Sequence, residues 1–132
     1  MCIDEQSNIL QVESGNNCIR KITPEGGVST FAGMGTIGDV DGNIFLAQFS
    51  GPWGIVKAQD GMIYISDTDN HKIKQVSPSG IVTTIAGSNV GYVNGVESSA
   101  KFSRPKGLVV DADGNLFVAD YFNNVIRKIT IK

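Results

Sequence analysis

Three acidic residues recur at nearly equal spacing along the chain, and each is followed three positions later by an asparagine. The acid–asparagine pairs are Glu13 with Asn16, Asp67 with Asn70, and Asp120 with Asn123. Carboxylates serve as general acids, general bases or metal ligands. Acids and asparagines this close in sequence also bond to the backbone of a shared turn. We expect this second role, so the spacing predicts turn chemistry at all three places.

A metal-dependent enzyme needs several histidine or carboxylate ligands that converge on one ion. The chain has one histidine, His71. The segment Gly38–Asn43 carries two aspartates, but Gly42 is at the fourth position from Asp39, where a calcium loop has its glycine at the sixth. We therefore expect no metal or other cofactor, a hydrogen-bonding role for His71, and a structured loop at 38–43.

These residues lie on a repeat that occurs three times. Ile19, Ile73 and Ile126 are equivalent, so the repeat advances by 54 and then by 53 residues. A fixed period of this size indicates a repeat architecture. Each copy holds short apolar runs separated by an Asp-Gly turn or its equivalent, a polar turn and a Pro-x-Gly turn. This pattern predicts an antiparallel meander of strands a, b, c and d in each copy.

The first copy places its strands at 2–3, 9–12, 18–22 and 28–32, and the second at 55–56, 63–66, 72–76 and 82–86. The third copy has strands a to c at 108–110, 116–119 and 125–129. Strand b is almost wholly apolar, which is typical of a strand covered on both faces. We therefore expect the sheets to stack. The basic residues of strand c, such as Arg20, Lys74 and Arg127, are expected to pair with carboxylates or lie at a solvated rim.

The second copy reads Pro52–Gly54, Asp60–Gly61, Asp67–Ile73 and Pro78–Gly87, and this order of motifs resembles the NHL repeat. The resemblance covers essentially the whole chain. It implies an all-β fold of propeller blades, each a four-stranded antiparallel meander, amounting to roughly half of a six-bladed ring. We expect one propeller segment, with blades at 1–49, 50–102 and 103–132, the third lacking its outer strand.

An open arc of three blades would expose an apolar surface at each end. Two copies related by a twofold axis would supply six blades and bury both ends. We therefore expect either a homodimer that closes the ring or a fragment of a longer propeller.

In such a meander the b–c turns and the d–a loops share one face, here called the top face. Large aromatic side chains at polar loop tips are favourable for contacts with a partner. Two positions between a proline and a glycine carry large side chains, and the third b–c turn carries two adjacent aromatic residues. We expect the binding residues to be Trp53, Lys106, Tyr121 and Phe122, with His71 as a further contact.

Charge and hydropathy exclude other classes of function. The net charge is −2 with no run of like charge, which makes nucleic acid an unlikely partner. No apolar run is long enough to cross a membrane.

Cys2 and Cys18 belong to strands two positions apart in one sheet. The two strands are about 9.6 Å apart, which is too far for a disulfide. The N-terminus is acidic and has no signal-peptide features, so the chain is either intracellular or a fragment whose signals lie elsewhere. Free thiols are compatible with a reducing compartment, which favours a cytoplasmic location.

The sequence thus favours a non-catalytic scaffold that presents its top-face loops to a protein or peptide. The alternative is a metal-dependent lyase or hydrolase of the NHL-like propeller class, which rests on fold analogy alone. RNA binding, known for some NHL proteins, is a third reading that the charge disfavours.

Overall fold

The computed structural model describes residues 1–131 and contains three antiparallel sheets in chain order. The first blade contains β1 (Cys2–Ile3), β2 (Ile9–Glu13), β3 (Cys18–Ile22) and β4 (Val28–Ala32), paired in that order. The third contains β10 (Pro105–Val110), β11 (Leu116–Asp120) and β12 (Val125–Ile129). The prediction of an all-β fold with three meanders is confirmed.

The second blade has one strand more than the repeat predicts. Its meander is β6 (Ile55–Lys57), β7 (Ile63–Asp67), β8 (Lys72–Val76) and β9 (Ile81–Gly87). A short fifth strand, β5 (Gly42–Asn43), comes from the loop after β4 and pairs with the outer edge of β9. The loop after the first blade therefore crosses to the second blade and covers its edge strand.

The helical segments among residues 1–131 are single turns of 3-10 helix. Three of them form the b–c turns, at Ser14–Asn16, Thr68–Asn70 and Tyr121–Asn123, and the fourth is Glu97–Ser99. The residue that follows each b–c turn has left-handed backbone, with φ of 54° at Asn17, 58° at His71 and 57° at Asn124. None of these helices is long or apolar enough to cross a membrane.

The blades pack face to face with the first strand of each meander innermost, because β6 contacts both β1 and β10. One apolar cluster fills the space between the first and second blades and includes Leu10, Ile65 and Phe49. A second fills the space between the second and third blades, around Tyr64, Phe102 and Val118. Strand b of the second blade is buried on both faces, as its apolar sequence predicted.

Cys2 and Cys18 are both free. Burial raises the pKa of both thiols, which favours their protonated form.

Candidate functional site

The top face is built on a hydrogen-bond framework that repeats between blades. Asp67 ends strand b of the second blade, and its Oδ1 accepts a bond from the Ser50 backbone N–H at 2.8 Å. Its Oδ2 accepts a bond from Asn70 Nδ2 at 2.7 Å. The equivalent carboxylate in the third blade, Asp120, makes the same two bonds, with Ser103 N at 2.8 Å and Asn123 Nδ2 at 2.7 Å.

Glu13 repeats part of this arrangement, since its Oε2 accepts a bond from Asn16 Nδ2 at 2.9 Å. The acid–asparagine pairs therefore have a structural role, as expected, but the carboxylates bond to the asparagine side chains and, in the second and third blades, to the backbone of the preceding loop, where the sequence predicted the backbone of the turn itself. Both carboxylate oxygens of Asp67 and of Asp120 are occupied by neighbouring donors of the fold.

The left-handed residue after the first and the second b–c turn joins its blade to the next. Asn17 Oδ1 accepts a bond from the Gly51 backbone N–H at 2.9 Å. His71 Nδ1 accepts the equivalent bond from Arg104 N–H at 3.0 Å. Burial lowers the pKa of His71, which favours the neutral imidazole that this bond requires. His71 therefore has the structural, hydrogen-bonding role expected from the sequence.

Side-chain hydroxyls complete the contact between blades. Ser14 Oγ donates to the Pro52 carbonyl oxygen at 2.5 Å, and Thr68 Oγ1 donates to the Pro105 carbonyl oxygen at 2.6 Å. These bonds fix the backbone immediately before Trp53 and Lys106. The backbone that carries those two side chains is thus held by the rigid part of the fold.

Five side chains at the contact between the second and third blades form what we call the top-face cluster. Lys106 Nζ lies 4.3 Å from the ring centroid of Trp53 and 4.0 Å from that of Tyr121. The Tyr121 and Phe122 rings are 5.6 Å apart, and the Arg104 guanidinium lies 5.1 Å from the Phe122 centroid. Cation–π contacts and one contact between aromatic rings therefore connect the members of the cluster, which are Trp53, Arg104, Lys106, Tyr121 and Phe122.

The aromatic members of the cluster face solvent. Trp53, Tyr121 and Phe122 are 55%, 54% and 55% exposed. Water-exposed aromatic rings grouped around a cation are a poor arrangement for a surface with no partner. The four contact residues proposed from sequence are therefore brought together, and His71 lies beside them through its bond to the Arg104 backbone.

The cluster carries one uncompensated positive charge. Arg104 forms a salt bridge with Asp69, whereas Lys106 Nζ makes no salt bridge within residues 1–131. The Nε atom of Arg104 is buried without a hydrogen-bond partner within the same residues. A ligand group that carries negative charge would therefore find a free cation beside exposed rings.

Sequence reasoning missed Arg104 and Asp69. Arg104 has left-handed backbone, with φ of 51°, and occupies the position that Gly51 holds in the preceding repeat, where φ is 53°. An arginine in place of a glycine that needs positive φ was the signal available in the alignment of the repeats. Asp69 was identified only in the structure, where it forms a salt bridge with Arg104.

The aspartate-rich loop at 38–43 has a different role from either a metal site or the top face. Its Asp39 and Asp41 carboxylates lie 2.7 and 3.0 Å from Lys74 Nζ, and Lys74 is fully buried. Burial alone would lower the pKa of Lys74, but the hydrogen bonds to these two aspartates raise it. The loop is structured, as predicted, and its carboxylates neutralise a lysine.

Lys74 also approaches Asp67, at 3.5 Å, which is the longest of its three carboxylate contacts. Burial raises the pKa of Asp67 to about 6, against the bonds from Asn70 and Ser50. Among residues 1–131 no group of three or more histidine, cysteine, aspartate or glutamate side chains is arranged to hold a metal ion.

Comparison with known proteins supports the repeat assignment. The family model of the NHL repeat matches residues 49–76 and 102–128. The human NHL repeat-containing protein 2 is 31% identical over 135 aligned residues, which cover 97% of this chain and 18% of that protein. The chloroplastic protein SUPPRESSOR OF QUENCHING 1 of Arabidopsis thaliana is 41% identical over 96 residues, 71% of this chain and 9% of that one.

The chain therefore spans less than a fifth of the length of these curated relatives. Among solved structures, an auxiliary nutrient binding protein from Bacteroides thetaiotaomicron superposes with a TM-score of 0.80 at 25% identity. That superposition covers 95% of this chain and 37% of the bacterial one.

Proposed function

The chain belongs to the NHL-repeat family, and from that premise we propose that it is a binding scaffold whose top-face loops hold a protein or peptide partner. The observation that carries the proposal is the top-face cluster. It combines three half-exposed aromatic rings with a lysine that has no acidic partner within residues 1–131. Aromatic and cationic side chains at the centre of a contact surface supply most of its binding energy.

The framework under the cluster supports this proposal, because it holds the backbone that carries the contact side chains before any partner binds. Trp53 and Lys106 follow backbone carbonyls that are fixed by Ser14 and Thr68. Tyr121 and Phe122 occupy a 3-10 turn whose preceding residue, Asp120, is fully buried. A preorganised surface loses less conformational entropy on binding than a mobile one.

The chemistry of the cluster defines the partner more narrowly. Lys106 offers an ammonium to a carboxylate, and the rings of Trp53, Tyr121 and Phe122 offer apolar area beside it. We infer a polypeptide segment that places an aspartate or glutamate next to an apolar or aromatic side chain. The chain as a whole carries a net charge of −2, so its attraction for an acidic segment depends on the local positive charge of Lys106.

Selection from a phage-displayed library of random dodecapeptides tests the proposal. We expect the wild-type protein to enrich clones that contain acidic and aromatic residues. Synthetic versions should change the fluorescence of Trp53, which is the only tryptophan in the chain. Lys106→Glu should weaken binding by roughly tenfold to a hundredfold, because it replaces the free cation by a like charge.

Two variants control for non-specific effects. Phe45→Ala removes an aromatic side chain that is 62% exposed on the loop beside β9, and Lys21→Glu reverses a charge on β3. Both should bind the selected peptides like the wild type. The proposal would be wrong if the library yields no clones, or if Trp53→Ala and Lys106→Glu bind the clones as well as the controls do.

Two other predictions from the sequence stay open to direct measurement. A metal-dependent lyase or hydrolase would retain a stoichiometric metal ion after purification, which elemental analysis detects. Association of two copies into a six-bladed ring would give a dilution-resistant species of twice the chain mass in gel filtration with light scattering.

A further inference from the structure

A buried serine lies beneath the top-face cluster, at a position where the repeat does not require one. Ser66 of β7 is fully buried and lies opposite Ile73 of β8. The residues that lie opposite the equivalent isoleucines are Val12 in the first blade and Ala119 in the third. The blades therefore fold with an aliphatic side chain at this position, and the hydroxyl is a feature of the second blade alone.

The Ser66 hydroxyl joins the two backbone segments that carry the tryptophan and the lysine of the cluster. Ser66 Oγ accepts a bond from the Gly54 N–H at 2.7 Å and donates to the Lys106 carbonyl oxygen at 2.5 Å. The first of these groups belongs to the peptide unit that follows Trp53, and the second belongs to the peptide unit that follows Lys106. One buried hydroxyl thus lies between the two segments and satisfies a polar group of each.

The backbone of Ser66 holds the same tryptophan in place. The Trp53 N–H donates to the Ser66 carbonyl oxygen at 3.1 Å, and the Ser66 N–H donates to the Gly54 carbonyl oxygen at 3.0 Å. Lys106 is held on both sides, because the carbonyl before it accepts a bond from Thr68 and its own carbonyl accepts the bond from Ser66. The position of the Lys106 backbone relative to that of Trp53 therefore depends on Ser66.

The two segments also pass in close contact, which makes their spacing sensitive to this bond. A Cβ atom on Gly54 would lie 2.3 Å from the Lys106 carbonyl oxygen, so only glycine fits there. The first contact between blades lacks the equivalent bond, because Val12 has no hydroxyl to donate to the Trp53 carbonyl. The bond from Ser66 is thus made at the contact that carries the cluster.

We propose that Ser66 is a positioning residue of the top-face cluster, whose hydroxyl sets the spacing between Trp53 and Lys106. This inference rests on the proposed binding function and narrows the partner that it takes. Because Lys106 Nζ lies 4.3 Å from the indole centroid, a carboxylate bound to it lies next to the ring. The site should therefore favour a peptide whose acidic and aromatic residues are adjacent, since a rigid site discriminates between spacings better than a mobile one.

Nuclear magnetic resonance of the free protein tests the positioning without any ligand. Lys106 Nζ lies over the Trp53 and Tyr121 rings, so ring currents should shift the Lys106 ε-methylene protons upfield of those of the other lysines. In Ser66→Ala these protons should move back toward the values of the other lysines. Alanine occupies the equivalent position of the third blade, so the variant is expected to fold. Ser88→Ala is the matched control, because Ser88 Oγ also donates to a backbone carbonyl but takes no part in the cluster, and it should keep the wild-type shift.

Binding of two peptides tests the effect on specificity. One is a library-selected peptide in which the acidic and aromatic residues are adjacent, and the other has two glycines inserted between them. The wild type and Ser88→Ala should bind the adjacent form about tenfold more tightly, whereas Ser66→Ala should lower this preference to about twofold. The ratio of the two affinities is measured because a general loss of stability weakens the binding of both peptides alike.

Two results would overturn the proposal. One is a Ser66→Ala variant that keeps the upfield shift or the peptide preference of the wild type. The other is an equal change in Ser88→Ala, which would show a general response to the loss of a serine hydroxyl bond. If no peptide binds the wild type, the proposed function is wrong, and the proton shift in the free protein alone decides whether Ser66 positions Lys106.

Discussion

The two contacts between neighbouring blades share one framework and differ in the side chains placed on it. In the first contact, Asn17 holds the Gly51 N–H and Ser14 holds the Pro52 carbonyl. In the second, His71 holds the Arg104 N–H and Thr68 holds the Pro105 carbonyl. Equivalent positions thus make equivalent bonds. The framework belongs to the repeat and would be needed whatever the protein binds.

The remaining positions of the two contacts diverge. The first has Gly15 and Gly51 where the second has Asp69 and Arg104. Beside Gly51 the first contact has Thr68 and Asp69 of the second b–c turn, where the second contact has Tyr121 and Phe122 of the third. Arg104 adopts the left-handed backbone of Gly51 although a side chain is strained there. Glycine would meet the same backbone requirement without strain, so Arg104 costs stability that Gly51 does not.

The largest expected effect comes from breaking the framework. Asp120→Ala removes a fully buried carboxylate that lies 2.8 Å from Arg127, and Arg127 is only 8% exposed. The variant leaves a buried charge without its partner, so the free energy of unfolding should fall by about 3–5 kcal/mol. Urea denaturation measures the change. Asp113→Ala, at an exposed turn, should stay within about 0.5 kcal/mol of the wild type.

Placing a residue of the first contact at the equivalent position of the second tests whether the two contacts share one framework. His71→Ala leaves the Arg104 N–H without its acceptor and puts alanine at positive φ, so it should cost about 2 kcal/mol. His71→Asn should recover all but about 0.5 kcal/mol, because Asn17 makes the same bond from the same backbone conformation. Equal stability of the Ala and Asn variants in urea would contradict the shared framework.

Substitutions of Arg104 should change the stability by a smaller amount, and the sign of the difference between two variants reports on backbone strain. Arg104→Gly relieves the left-handed strain, whereas Arg104→Ala keeps it, so the glycine variant should be more stable by about 1 kcal/mol. Both lose the exposed salt bridge to Asp69 equally. Both should bind selected peptides more weakly than the wild type. Thermal denaturation of the pair measures the strain, and a more stable alanine variant would show that it is absent.

The smallest expected effect is a change in pH dependence. Because burial lowers the pKa of His71 below its ordinary value of 6.5, its contribution to stability is present above that pH. It is lost as the pH falls through the lowered folded value, where the imidazole gains a proton and can no longer accept the Arg104 bond.

His71→Asn lacks this titration, so its stability relative to the wild type should rise as the pH falls below 6.5. Asp67, with a pKa raised to about 6, acts in the opposite direction: its contribution is present below its ordinary value of 3.8 and lost as the pH rises through 6. Asp67 is common to both proteins and cancels in the difference. A difference that stays constant between pH 7 and pH 5 would contradict the role given to His71.

The repeat made most of the fold predictable from sequence. A threefold register fixes strands, turns and their order, and strands such as β3, β4, β8 and β12 have the predicted bounds. β5 was not predictable, because Gly42–Asn43 has no strand propensity and forms by pairing with β9. The burial of Lys74 was also missed, since strand periodicity does not show that a distant loop will bring two aspartates to it.

The candidate site was predictable in part. Tyr121 and Phe122 stand out because the equivalent loop positions are small or polar in the other copies, and Trp53 and Lys106 stand out as large side chains between a proline and a glycine. Their mutual contacts depend on how two blades pack, which no local pattern specifies. Arg104 could be identified only from the structure, which shows its left-handed backbone. Asp69 could be identified only once the position of Arg104 was known, because the two form a salt bridge.

Amide chemical-shift mapping with a peptide selected from the random library tests the central claim most directly, because it compares the two contacts in one experiment. The account predicts that the perturbed resonances are those of Trp53, including its indole N–H, and of Asp69, Arg104, Lys106, Tyr121 and Phe122. The b–c turn of the first blade, at Gly15 and Asn16, should stay unchanged. Perturbations centred on the first contact, or spread over the apolar ends of the arc with the cluster unaffected, would contradict the account.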